Sequence, residues 1–258
     1  MTAPAPLRER RATGYGPASA QRRVLAARYR ATLLGDWPTV VVLVAQAPFI
    51  GWLCTIVWGS VETDTPSLRF VLALAAVWFG CVNACREIVK ERAIVERERL
   101  LGLSLVAYVA SRIQVLAVLA LAQVVLLQGA VEWKLALRGN FAVELFALWL
   151  AALAGTGIGL FVSALSTSQE RAVGVVPLLL LPQILFSSFA IPESQFSDVV
   201  RAVEKGMPVH WAYEVFDALA APEVGWGRVA LALCALAGMT TVAALATTAA
   251  LVRRRSVV

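Results

Sequence analysis

The sequence predicts an all-α integral membrane protein: six transmembrane helices, preceded by an amphipathic interfacial connecting helix, with a long outer loop between helices 5 and 6. Three observations carry that expectation. Of 258 residues, 59% are hydrophobic and only 16% charged, where a soluble domain carries about a quarter; mean hydropathy is +0.74. The apolar residues gather in six runs, each near the roughly 20 residues that a hydrocarbon core of about 30 Å requires. The basic residues cluster at the ends of those runs. Despite the net charge of +6, that placement reads as membrane orientation and not as a nucleic-acid surface.

Residues 1–17 hold no apolar core that could act as a secretory signal, and they read as a disordered cytosolic tail. Residues 18–36 form the connecting helix. Val24, Leu25, Tyr29, Leu33 and Leu34 share a helical stripe while arginines fill much of the rest, a pattern that suits the cytosolic leaflet. Trp37 marks the water–lipid boundary, and a six-helix transmembrane domain is expected over 37–252, with spans near 38–59, 68–86, 105–130, 142–166, 172–190 and 228–251. Within it lie the charged segment 86–103 and the outer loop 191–227, whose mixed stretches "SQFSDVVRAVEKG" and "HWAYEVFDALA" suit short helices. Residues 253–258 form a basic cytosolic tail. Seventeen of the 23 Lys and Arg fall on the side of the N-terminus, so both termini are expected in the cytosol.

The centres of all six spans lack Asp, Glu, Lys, Arg and His. Arg86 and Arg112 lie near cytosolic ends, where they are expected to snorkel to water, and Glu144 lies near an outer end. A carrier driven by a proton or cation gradient needs a ligand at that depth, and an intramembrane hydrolase needs several. No continuous polar stripe marks a channel. Cys54, Cys81, Cys85 and Cys234 fall inside apolar runs and read as small buried residues, not as metal ligands. There is no G-x-x-x-x-G-K-[ST] phosphate loop, so the chain is not expected to hydrolyse nucleotide itself. Gly155, Gly157 and Gly159 lie mid-span and read as close helix packing. Any driving energy must come from a partner.

The stretch "REIVKERAIVERERLLG" (Arg86–Gly102) packs nine charged side chains into its first fourteen residues. Its signs are too mixed for a polybasic lipid anchor. Glu87–Lys90, Arg92–Glu96 and Glu96–Arg99 stand at helical pairing distance; Arg86, Glu91, Arg97 and Glu98 have no evident mate. Its apolar members do not share one face, which predicts two short helical pieces with a bend near Ile94–Arg97. Such a rod suits docking to a protein. A solvated loop with its charges satisfied among themselves is the competing reading.

In four places the residues resemble the membrane half of an ATP-binding-cassette exporter of the type whose eukaryotic members form the G subfamily. "GCVNACREIVKERAIVERERLLGLSLVAYVASR" (Gly80–Arg112) resembles the end of the second span, the intracellular charged helix and the start of the third span. "QRRVLAARYRATLLGDWP" is similar to the connecting helix, "STSQERAVGVVPLLLLPQILFSSFAIP" to the fifth span and its borders, and "PVHWAYEVF" to an element of the last outer loop, with His210 in place of the usual Arg. The likeness extends to bacterial members often fused to ATPase and phosphopeptide-binding domains. It implies a permease subunit in the cell (inner) membrane that works as a homodimer of the membrane domain, partnered with membrane lipids and not with nucleic acid, and that moves an amphipathic or lipid-linked substrate outward. No cofactor is implied in this chain; ATP and Mg²⁺ belong to a separate ATPase subunit. Coupling to that ATPase falls to Glu87, Glu91, Arg92, Glu96, Arg97, Glu98 and Leu100. The substrate pathway along the dimer axis falls to Trp78, Phe79 and Asn83 on one wall and Leu181, Gln183, Phe186 and Ser187 on the other. A reading from another class keeps the membrane body but makes it a scaffold or sensor that recruits a cytosolic partner through 86–103.

Overall fold

The computed structural model describes residues 17–60, 65–135, 137, 139–187 and 196–253. Most of the expected N-terminal tail, residues 61–64, Arg138, the stretch 188–195 and nearly all of the basic tail lie outside the described residues.

Capping chemistry sets most of the helix starts. The Thr65 hydroxyl accepts from the Leu68 N–H (3.3 Å) and Pro66 fills the first turn of a helix ending at Ala84. The hydroxyls of Ser104 and Ser168 serve Ala107 and Arg171 in the same way, and the Asn140 side-chain oxygen accepts from both Ala142 (3.0 Å) and Val143 (3.3 Å). In chain order the helices are α1 (Ala18–Gly35), α2 (Trp37–Trp58), α3 (Pro66–Ala84), α4 (Arg92–Leu100), α5 (Leu105–Glu132), α6 (Phe141–Leu165), α7 (Gln169–Leu185), α8 (Asp198–Lys205), α9 (Pro208–Ala220) and α10 (Trp226–Arg253). A single 3-10 turn, Val89–Glu91, precedes α4. No strand occurs among the described residues.

Among the described residues, five helices are long and apolar enough to cross a membrane: α2, the run that begins with α3, α5, α6 and α10. The remaining expected span, the fifth, corresponds to α7. Its 17 residues reach only about 26 Å at 1.5 Å per residue, and Pro177 and Pro182 each remove a donor from its ladder. The structure therefore places five full-length spans where six were expected, the described part of the fifth being short.

α3 and α6 form the centre. Ala76, Gly80 and Cys81 on α3 meet Ala152, Gly155 and Gly159 on α6, and no side chain separates the two backbones. A Cβ on Gly155 would run into the Val77 carbonyl, and one on Gly159 would stand 2.6 Å from the Cys81 carbonyl. With hydrocarbon outside there is little hydrophobic gain from helix association, so close van der Waals approach is what holds such pairs. The glycine run serves packing, as its mid-span position predicts.

α2, α5 and α10 flank this pair and turn apolar side chains outward; Val42, Phe49 and Ile56 on α2 are exposed. A buried amide relay ties three helices together inside. The Asn83 amide donates to Gln123 Oε1 (2.6 Å), and the Gln123 amide donates to the Leu43 carbonyl (2.7 Å). α9 covers one end through Val209, Ala212, Val215 and Phe216, and Arg228 at the start of α10 bridges Glu214 and Asp217. The two mixed stretches of the outer loop are thus α8 and α9. His210 Nδ1 stands 3.4 Å from Glu204, with its ring edge-on to Trp211.

Candidate coupling site

The charged stretch folds as an elbow between α3 and α5, at the end of the bundle opposite α9. The Ser163 hydroxyl of α6 accepts from both Ile88 and Val89 N–H groups (3.0 Å each), which pins the start of the elbow to the central helix. The chain kinks at the 3-10 turn and enters α4 at Arg92, so the bend falls at Glu91–Arg92 and not at the expected Ile94–Arg97. The kink is earlier because two N–H groups are diverted to Ser163 in place of helical carbonyls. α4 ends in a Schellman arrangement: Leu103 N–H reaches the Glu98 carbonyl (3.1 Å), Gly102 N–H the Arg99 carbonyl (3.1 Å), and Gly102 takes a φ of 100°. A Cβ there costs about 1–2 kcal/mol. Gly102→Ala is expected to lower the melting temperature of the purified chain while leaving its oligomeric state unchanged.

Most of the charges are consumed inside the chain. Glu87, buried, receives Lys90 Nζ at 2.6 Å, the one predicted pair that forms as expected. Glu91 is ion-paired with Arg112 of α5, and Glu98 with Arg28 of α1. Arg92 donates to the carbonyls of Ala164 (3.4 Å) and Ser166 at the C-terminus of α6. Arg99 donates to the Leu251 carbonyl (2.7 Å) near the C-terminus of α10. Both are cations set where a helix presents unpaired carbonyls and the negative end of its dipole. Glu96, expected to pair with Arg92 and Arg99, is left exposed.

Arg112 corrects the snorkelling expectation. Its side chain is 1% exposed. The guanidinium lies between two aromatic rings, its Cζ 4.0 Å from the Tyr29 centroid and 4.8 Å from that of Tyr108. Burial pushes the Tyr29 phenol well above its ordinary range, so the ring stays neutral under the cation. α1 consequently packs on α5 through Leu25 and Tyr29, and its Gln21 side chain accepts from the Ser104 N–H (2.9 Å) at the start of α5. Through these contacts the elbow grips α1, α5, α6 and α10 while continuing α3.

What remains outward is one face of α4. Ile94, Arg97 and Leu101 follow one another at helical spacing, with Leu100 and Glu96 beside them; Leu100 is 81% exposed. Of the seven coupling residues expected, Glu96, Arg97 and Leu100 are exposed, whereas Glu87, Glu91, Arg92 and Glu98 are held within the chain. Arg28, Tyr29, Arg112 and Ser163 are the contacts of this segment that sequence reasoning did not assign to it. The spacing of Tyr108 and Arg112, one turn apart on α5, was the only local sign of the clasp.

The expected pathway residues do not converge on one cavity of the single chain. Phe79 is fully buried and Asn83 is engaged with Gln123, both inside the bundle. Gln183 and Ser187 are buried, their side chains donating to the Leu179 and Ile184 carbonyls. Trp78 and Leu181 face outward, and Phe186 is half-buried at the end of α7. Among the described residues no cluster of His, Cys, Asp and Glu could hold a metal.

The chain is a multi-pass helical body with a charged elbow at one end, and it belongs to the ABC-2 type transporter membrane family, which it matches over residues 20–219. It is therefore a permease component. Over 143 residues, 52% of this chain, it is 29% identical to the ABC transporter ATP-binding/permease protein Rv1747 of Mycobacterium tuberculosis. The matched stretch covers 16% of that protein's length.

Proposed function

We propose that the chain is the permease of an ATP-driven exporter, docked through the outward face of α4 onto a cassette ATPase that supplies the ATP and Mg²⁺ chemistry. The observation that carries this reading is the division of labour in the elbow. Its charged residues bind it to four other helices, yet Ile94, Arg97, Leu100 and Leu101 are left exposed among the described residues. A rod anchored in this way moves as a body with the helices it grips. A push on α4 reaches α5 through Glu91–Arg112, α6 through Arg92 and Ser163, and α10 through Arg99. Two copies would meet along α7, whose Leu178, Leu181 and Leu185 are exposed. The pathway would then form between chains, lined by Trp78 and Leu181, and its apolar surface suits an amphipathic or lipid-linked cargo. The proposed setting is the inner membrane with both termini cytosolic.

Ile94→Asp combined with Leu100→Asp tests the docking face. Both side chains are exposed, so the melting temperature is expected to hold while co-purification of the cassette ATPase falls at least tenfold. Undiminished complex formation would sink the assignment. A wild-type chain that binds its ATPase but moves no cargo in vesicles would favour the scaffold reading.

A further inference from the structure

A cavity of about 500 Å³ opens between α1, α2 and α5, and none of the elbow or pathway residues lines it. Its size falls in the usual range for a small-molecule site, about 300–1,000 Å³. The floor is apolar: Ala27 on α1, Val44 on α2, and Val115, Val118 and Ala122 on α5. The rim carries Arg23 and Arg30. These stand seven residues apart, about 10 Å along α1, and so on the same side of the helix. Among the described residues neither arginine has an ion-pair partner, unlike Arg28, and no carboxylate lines the cavity. Trp37, 67% exposed where α1 gives way to α2, suits the water–lipid boundary.

We propose that this cavity is a binding site for one anionic glycerophospholipid, its phosphate held by Arg23 and Arg30 and an acyl chain laid along Val44, Val115 and Val118. Charge complementarity selects the occupant. Two unpaired cations favour a negative headgroup, and the dry floor between two membrane helices favours hydrocarbon over a soluble anion. Guanidinium forks match phosphate oxygens, which a zwitterionic lipid shields with its own ammonium group. The lipid would wedge α1 against the bundle on the side away from Glu98. The proposal needs the chain to be in a membrane; it does not need the chain to transport anything.

The test is lipid retention by the full chain in nanodiscs of phosphatidylcholine with a minor share of phosphatidylglycerol, read by native mass spectrometry. One phosphatidylglycerol is expected to stay bound. Arg23→Gln with Arg30→Gln should weaken its retention about 30-fold, from roughly fivefold for each basic residue near a membrane surface. Val118→Trp, which fills the floor and leaves both arginines in place, should abolish retention, and millimolar inorganic phosphate should not displace the lipid. Equal retention of the two lipids, an unaffected arginine double variant, or displacement by phosphate would each overturn the proposal. So would an α1 face that proves to be covered by a second copy of the chain, seen as arginine variants that change the oligomeric state.

Discussion

Glu91→Ala is expected to destabilise the chain by about 3–5 kcal/mol, the usual cost of removing one partner of a buried ion pair, and to do so more severely than Arg112→Met. The asymmetry follows from burial. The Arg112 side chain is 1% exposed and that of Glu91 14%. Without Glu91 the guanidinium cannot shed its proton and keeps only the faces of Tyr29 and Tyr108; among the described residues its Nε and Nη1 have no hydrogen-bond acceptor. Without Arg112, by contrast, Glu91 can turn toward water or take up a proton, and a methionine fills the slot between the rings. The double variant Glu91→Ala, Arg112→Met should recover most of the loss. Thermal unfolding of the four proteins in one detergent checks the order, and equal damage from the two single changes would show that the clasp is not desolvated.

Gly155→Ala is expected to cost about 3 kcal/mol, the upper end of the overpacking range, because the obstacle is the Val77 main chain and not a side chain that can swing away. Gly80→Ala meets the Ala152 carbonyl in the same way. Gly174 and Gly238 have nothing within 4 Å of an added Cβ. The same substitution there should be neutral or stabilise by about 0.4–1 kcal/mol. Measured side by side, the four variants separate contact from helix propensity, since propensity alone gives all of them the same sign. A further consequence concerns coupling. Ser163 on α6 holds the elbow that α3 leads into, so forcing the two helices apart should weaken cassette binding even at temperatures where the chain stays folded.

Much of this architecture is legible in the residues because the forces that set it are local. A run of about 20 apolar residues closes its own hydrogen bonds as a helix and partitions into lipid whatever its neighbours do. The expected ends of α2, α5, α6 and α10 therefore fall within a few residues of the observed ones. α7 is the exception, since two prolines and a short stretch make its span depend on what packs beside it. Glu87–Lys90 is readable because it closes within one turn. Glu91–Arg112 and Glu98–Arg28 are not, being 21 and 70 residues apart. Arg92 and Arg99 were paired with Glu96 because nothing in the sequence says that the ends of α6 and α10 arrive beside them.

From its sequence alone this protein is a helical membrane body with a charged segment at one end, because hydropathy and helix formation act over a single turn or a single span. Which of those charges stay exposed was decided only when α1, α5, α6 and α10 came together around α4. Ion pairs and carbonyl caps then took Glu91, Arg92, Glu98 and Arg99 inward, and left Ile94, Arg97 and Leu100 facing out.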